Sequence, residues 1–163
     1  MESTEIPAPS GWDDTFTGLG GPDLWRRLLV GEVARSARYR RALTVVAIEV
    51  HGVDELAERY GLDHARRILR GTAQTLHRAS RGSDTCARIA PSRFGVVLVE
   101  TDEVSAVNFV ERVREDLPRR MPKNVEGLRL GFGWASPRGN ESADALVTRA
   151  STRLMVELLG DPS

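Results

Sequence analysis

The chain has 163 residues, 40% apolar and 28% charged, with 23 basic and 23 acidic side chains. Such a composition is ordinary for one soluble globular domain, and a net charge of zero excludes a global field that would recruit nucleic acid or an acidic membrane surface. The single cysteine, Cys86, excludes an internal disulfide and a cysteine metal cluster. No apolar run approaches the roughly 20 residues that cross a bilayer, and no charged-then-apolar signal pattern opens the chain, so a cytoplasmic protein is expected.

Residues 1–12 read as a flexible tail and 13–163 as a single domain. Pro22 suits the first turn of a helix running towards Tyr39, with Leu24, Trp25, Leu28, Leu29 and Val33 at helical spacing. Leu43–Val50 is a β-branched run too continuously apolar for an exposed edge strand. A short helix from Val53 to Arg59 breaks at Tyr60-Gly61. A longer one, Asp63 to Ser80, has Ala65, Ile68, Leu69, Ala73 and Leu76 on its inner face.

A hairpin over 84–100 turns tightly at Ala90-Pro91-Ser92-Arg93. Asp102 then caps a helix carrying Val104, Val107, Val110 and Val113, which ends before Pro118. Leu128–Ala135 alternates as a strand around Gly131 and Gly133, and Pro137–Asn140 is a loop. The last amphipathic helix runs from Ser142 to Leu159 and stops at Gly160. A hairpin set among alternating helices and strands predicts a mixed sheet with helices packed on it. Cys86 reads as a small buried hydrophobe, Arg88 as sheet-facing structure, and His51, His64 and His77 as solvated or structural side chains.

Six segments stand in a telling order: Asp14-Thr-Phe-Thr-Gly-Leu19, Ile48-Glu49-Val50-His51, Tyr60-Gly61, Ala90-Pro91-Ser92-Arg93-Phe94, Glu111-Arg112-Val113-Arg114 and Leu128-Arg-Leu-Gly-Phe-Gly133. Over about residues 13–159 their spacing resembles the GGDEF (diguanylate cyclase) family, with Ala90–Phe94 on the signature turn and only its Phe kept. The resemblance implies an α/β (α+β) fold. Its central sheet has five mostly antiparallel strands flanked by helices, akin to the palm of polymerases and adenylate cyclases.

The same resemblance implies a lost active site. Joining two GTP molecules needs divalent cations, and these want carboxylate oxygens. Glu49 stands at the first metal-binding acid, but Ser92 replaces the second and Arg93 puts a cation where a further acid belongs. Ala90 and Pro91 add side chains where paired glycines let the backbone approach the nucleotide, and Pro91 removes an N–H. Ala57 and Arg66 fall on guanine-binding Asn and Asp, and Leu158 on a phosphate-contacting Lys. No metal and no cofactor is expected, and the chain reads as a pseudo-enzyme.

Arg81 and Asp84 coincide with the family's inhibitory Arg-x-x-Asp, five residues before the signature turn, and Arg112 with an arginine that completes it, often from a second copy. The site holds cyclic di-GMP in the family. An arginine fork suits guanine O6 and N7, and a carboxylate accepts from N1–H and the 2-amino group. The competing reading is an exposed i, i+3 ion pair worth a few tenths of a kcal/mol. The leading expectation is therefore a cyclic di-GMP effector acting through a protein partner or a homodimer, since no sensor or output domain is recognisable. The alternatives are a nucleotide-independent interaction module and residual GTP or ATP binding at the altered site, with Arg66 and Arg93 on the triphosphate.

Overall fold

A computed structural model describes residues 3–160. In chain order the elements are α1 (Pro22–Tyr39), β1 (Leu43–His51), α2 (Val53–Tyr60), α3 (Leu62–Ala79), β2 (Thr85–Ala90) and β3 (Arg93–Val99). They continue with α4 (Glu103–Asp116), a 3₁₀ turn (Leu117–Arg120), β4 (Arg129–Ala135) and α5 (Ala143–Leu159). The strands form one sheet in the order β2-β3-β1-β4, and every neighbouring pair is antiparallel.

Strand β1 explains the layering. Its period-two alternation sends Val46, Ile48 and Val50 to one face and Leu43, Val45 and Ala47 to the other. The first set joins an apolar cluster with α2, α3 and α4, through Ala57, Ile68, Leu69, Leu76, Phe109 and Val113. The second joins Trp25, Leu29 and Val33 of α1 and Leu146, Ala150 and Leu154 of α5. Helices on both faces are why β1 reads as a continuous apolar run. On β4, Gly133 lies so close beneath α5 that a Cβ there would meet Ala150 O at 2.1 Å. That glycine lets α5 sit down on the sheet.

Several boundaries match the sequence reading. Asp102 accepts from Ser105 N at 2.7 Å as the cap of α4, Ser142 caps α5, and Gly160 follows its last residue. Four differences carry information. The sheet has four strands rather than five and is uniformly antiparallel rather than mixed. The parallel pairing shrinks to a single bridge, Gly20 with Ala87, because Pro22 turns the chain straight into α1. The tail departs from expectation from Ile6 onward, since Ile6 is buried and Arg88 donates to Pro7 O at 2.8 Å. On α4 the inner face is Ala106, Phe109, Val110 and Val113, while Val104 and Val107 are exposed. Finally, the chain forms a 3₁₀ turn through Pro118 where the helix was expected simply to end, with proline at a first-turn position that needs no N–H.

Candidate functional site

The hairpin turn brings together Glu49, Ser92 and Arg93, three side chains that the family resemblance groups at one site. Glu49 near the end of β1 is the register partner of Arg93, the first residue of β3. Arg93 Nε donates to Glu49 Oε2 at 2.8 Å, and Ser92 Oγ donates to Glu49 Oε1 at 2.5 Å. Val50 N donates to Ser92 O at 2.9 Å and fixes the turn against β1. Both carboxylate oxygens are thus engaged within the chain. The pair is mostly buried, with side-chain exposures of 27% and 16%, so water screens it less than a surface pair.

Behind the turn lies a pair that the sequence reading did not join. Arg88 on β2 is 1% exposed and Asp14 is 4% exposed. Arg88 Nε donates to Asp14 Oδ2 at 2.7 Å, and a terminal nitrogen donates to Oδ1 at 2.9 Å. This is the bidentate fork geometry of strong charge-assisted pairs. The other terminal nitrogen donates to Pro7 O at 2.8 Å and to Pro91 O at 3.1 Å. One buried guanidinium therefore links residue 7, the loop at 14 and the turn at 91. Burial pushes the Asp14 carboxyl up, but hydrogen bonds from Arg88 and Thr17 outweigh it and hold it below the ordinary carboxylate range. The available signal was an arginine in an otherwise apolar strand, which must find a partner when buried.

Arg81 and Asp84 flank the turn between α3 and β2. They do not form the ion pair that the alternative reading required. Asp84 Oδ2 accepts from Arg81 N at 2.9 Å and Oδ1 from Val99 N at 3.1 Å, so the carboxylate is fixed by backbone. Among the described residues no ion pair or hydrogen bond engages the Arg81 guanidinium, and Arg81 is exposed. Arg112 on α4 donates to Ala79 O at 3.0 Å, two residues before Arg81. It lines a groove of about 370 Å³ with Arg78, Asp116 and Arg119, which Arg81 and Asp84 do not line. Arg112 thus meets the end of α3 beside the turn, while Arg81 and Asp84 stand outside its groove.

The remaining positions divide by element. Ala57 on α2 and Leu158 on α5 are buried core residues. Arg66 on α3 pairs with Asp63 at 3.5 Å and lies 4.9 Å from the centre of the Phe16 ring. It is not joined to Arg93, which faces Glu49 and Met155 instead. Ala90 and Pro91 form the turn, where the β2–β3 register shifts between Arg88 and Ala90. His64 is buried with Nε2 2.9 Å from Asn124 O, while His51 and His77 are exposed. No helix among the described residues is long and apolar enough to cross a membrane.

Comparison with known proteins adds to this geometry. Residues 12–158 match the family model described as "Diguanylate cyclase, GGDEF domain". The chain is 27% identical over 139 residues to diguanylate cyclase DosC of Escherichia coli K12, covering 83% of this chain and 29% of that protein. It is 23% identical over 141 residues to diguanylate cyclase DgcS of Shewanella oneidensis, covering 86% of this chain and 47% of that protein. The chain thus spans less than half the length of these relatives. Among solved structures, the GGDEF domain of DgcB from Caulobacter crescentus in complex with c-di-GMP superposes with a TM-score of 0.85 at 15% identity, covering 98% of this chain and 94% of that one. Diguanylate cyclase SiaD of Pseudomonas aeruginosa, solved with its activator SiaC, superposes with a TM-score of 0.83 at 23% identity, covering 93% of this chain and 59% of that one. With a family match over nearly its whole length, the chain belongs to the GGDEF family.

Proposed function

We propose that this domain is a catalytically silent member of its family that receives cyclic di-GMP at the Arg81–Asp84 turn. The observation that carries the reading is an asymmetry. Two backbone N–H groups hold the Asp84 carboxylate in place, and the Arg81 guanidinium has no partner among the described residues. A fixed acceptor beside an uncommitted fork suits guanine, whose O6 and N7 take the fork and whose N1–H and 2-amino group meet the carboxylate. Each Asp84 oxygen has a lone pair beyond the one its backbone donor uses. Arg112 belongs to the same reading, either by leaving Ala79 O or by serving a second copy of the chain.

Silence rests on the chemistry of the donor set at the turn. A magnesium ion of the kind the family uses wants several hard oxygen ligands in octahedral array. These residues do not fit it. One carboxylate, Glu49, is already bound to a cation and a hydroxyl, and that cation stands where a further acid would be needed. The domain would act in the cytoplasm and pass ligand occupancy to a protein partner or a second copy of itself.

Calorimetric titration of cyclic di-GMP into the wild type and Arg81→Ala tests the binding. Micromolar binding lost in the variant is expected, and no heat at high micromolar ligand would overturn the reading. Incubation with GTP and Mg²⁺ or Mn²⁺, read by chromatography, tests the silence. A dinucleotide product abolished by Glu49→Ala would refute it.

A further inference from the structure

We propose that residues 4–10 plug, from within the chain, the pocket between Phe16, α2 and α3 in which a purine nucleotide would otherwise lie. This stands apart from cyclic di-GMP binding at Arg81. Ile6 belongs to no helix or strand, yet it is only 4% exposed. It packs into the apolar cluster that contains Phe16, Ala57 and Ala65. Ala57 and Arg66 are the two positions that the family resemblance assigns to guanine. The isoleucine therefore shares one apolar cluster with Ala57, the first of those two positions, and with Ala65, the neighbour of the second.

The segment is held along its length. Ser3 and Thr4 line a cleft with Tyr60, Gly61, Leu62 and Asp63 at the α2–α3 junction. Pro7 O accepts from Arg88. Pro7–Ser10 form one wall of a cleft of about 440 Å³, and Phe16, Arg66 and Arg70 stand on the other. Prolines at 7 and 9 pre-set the backbone, which lowers the entropy lost on docking.

The chemistry of that cleft names the competing ligand. The Phe16 ring has the guanidinium carbons of Arg66 and Arg88 each 4.9 Å from its centre. Among the described residues Arg66 Nε is buried with no hydrogen-bond partner, and Arg70 commits only its Nε, to Phe16 O at 3.1 Å. An apolar aromatic floor beside under-used arginine donors suits an aromatic base carrying phosphate. Arg88 bonds Pro7 O and Pro91 O through one nitrogen, so release of the segment would also loosen the signature turn.

The test compares Arg81→Ala with Arg81→Ala/Ile6→Gly, so that the turn site is silent in both. GTP is titrated calorimetrically in EDTA, and amide exchange is followed over residues 53–69. The plug predicts faster exchange there in the Ile6→Gly protein and a rise of at least about tenfold in GTP affinity, the penalty of a closed pocket being removed. Equal affinity in the two proteins overturns the proposal. So does faster exchange without gained affinity, because the segment would then be a structural strap only. If Ile6→Gly loses its cooperative melt, Ile6→Ala replaces it, with a smaller shift in the same direction expected and the same outcomes decisive.

Discussion

Glu49 and Arg93 are directly opposed across β1 and β3, and Arg93 Nε closes the pairing by donating to Glu49 Oε2 at 2.8 Å. The consequence is chemical as well as structural. An acid that could help hold a cation is neutralised by the arginine opposite it. On the proposed reading the two positions reinforce each other: Ser92 offers no carboxylate, and Arg93 occupies the one that Glu49 offers.

Reversing that pair should restore cation affinity. Ser92→Asp/Arg93→Glu places three carboxylates at the turn, and hard divalent cations gain most from such a set. Mn²⁺ titration followed by electron paramagnetic resonance should show little binding to the wild type and clear binding to the double variant. Tight Mn²⁺ binding by the wild type would contradict the account of the Glu49–Arg93 pair.

The buried Arg88–Asp14 pair gives the largest expected stability effect. Asp14→Ala strands a fully buried guanidinium, and such one-sided losses cost about 3–5 kcal/mol. For a domain of this size each kcal/mol lowers Tm by about 2–4 °C. The pH dependence has a definite sign. The folded Asp14 pKa lies below its ordinary 3.8, so the pair's contribution is present above about that pH and is lost as pH falls through the folded value. Urea unfolding between pH 2 and 5 should show this slope in the wild type, and it should shrink in Asp14→Asn.

Arg81 and Asp84 should separate ligand binding from stability. Arg81→Ala removes a guanidinium that engages nothing among the described residues, so its stability should stay within about 0.5 kcal/mol of wild type. Asp84→Ala removes the acceptor of the Arg81 and Val99 N–H groups and should cost about 0.5–1.5 kcal/mol for each bond lost. Both should lose cyclic di-GMP. Equal melting losses in the two variants would mean that Arg81 is structural.

Cys86 should be a slow thiol. Burial pushes it up from 9.0 to about 11, with a contact to Ser80 Oγ at 3.0 Å opposing that rise. The gap of about two units makes its thiolate about a hundredfold scarcer at pH 8 than in the unfolded chain. Iodoacetamide labelling followed by mass spectrometry should be correspondingly slow until urea is added. By the same linkage, the thiol's contribution to stability is present below pH 9.0 and fades as pH rises towards 11.

The sequence by itself determined the elements and the family. Hydrophobic periodicity, Pro22, the Asp102 cap and Gly160 marked helices whose bounds lie within about a residue of those observed. The absence of acids from Ala90–Phe94 is likewise legible in the sequence, because a local motif is a statement about neighbouring residues. Tertiary structure alone decided who pairs with whom. Asp14 and Arg88 are 74 positions apart, and Glu49 and Arg93 are 44 apart. Such partners follow from strand order and from where a loop is laid down, and periodicity encodes neither. The burial of Ile6 was hidden for the same reason: one isoleucine among prolines gives no period to read, and only its place in the apolar cluster with Phe16, Ala57 and Ala65 accounts for it.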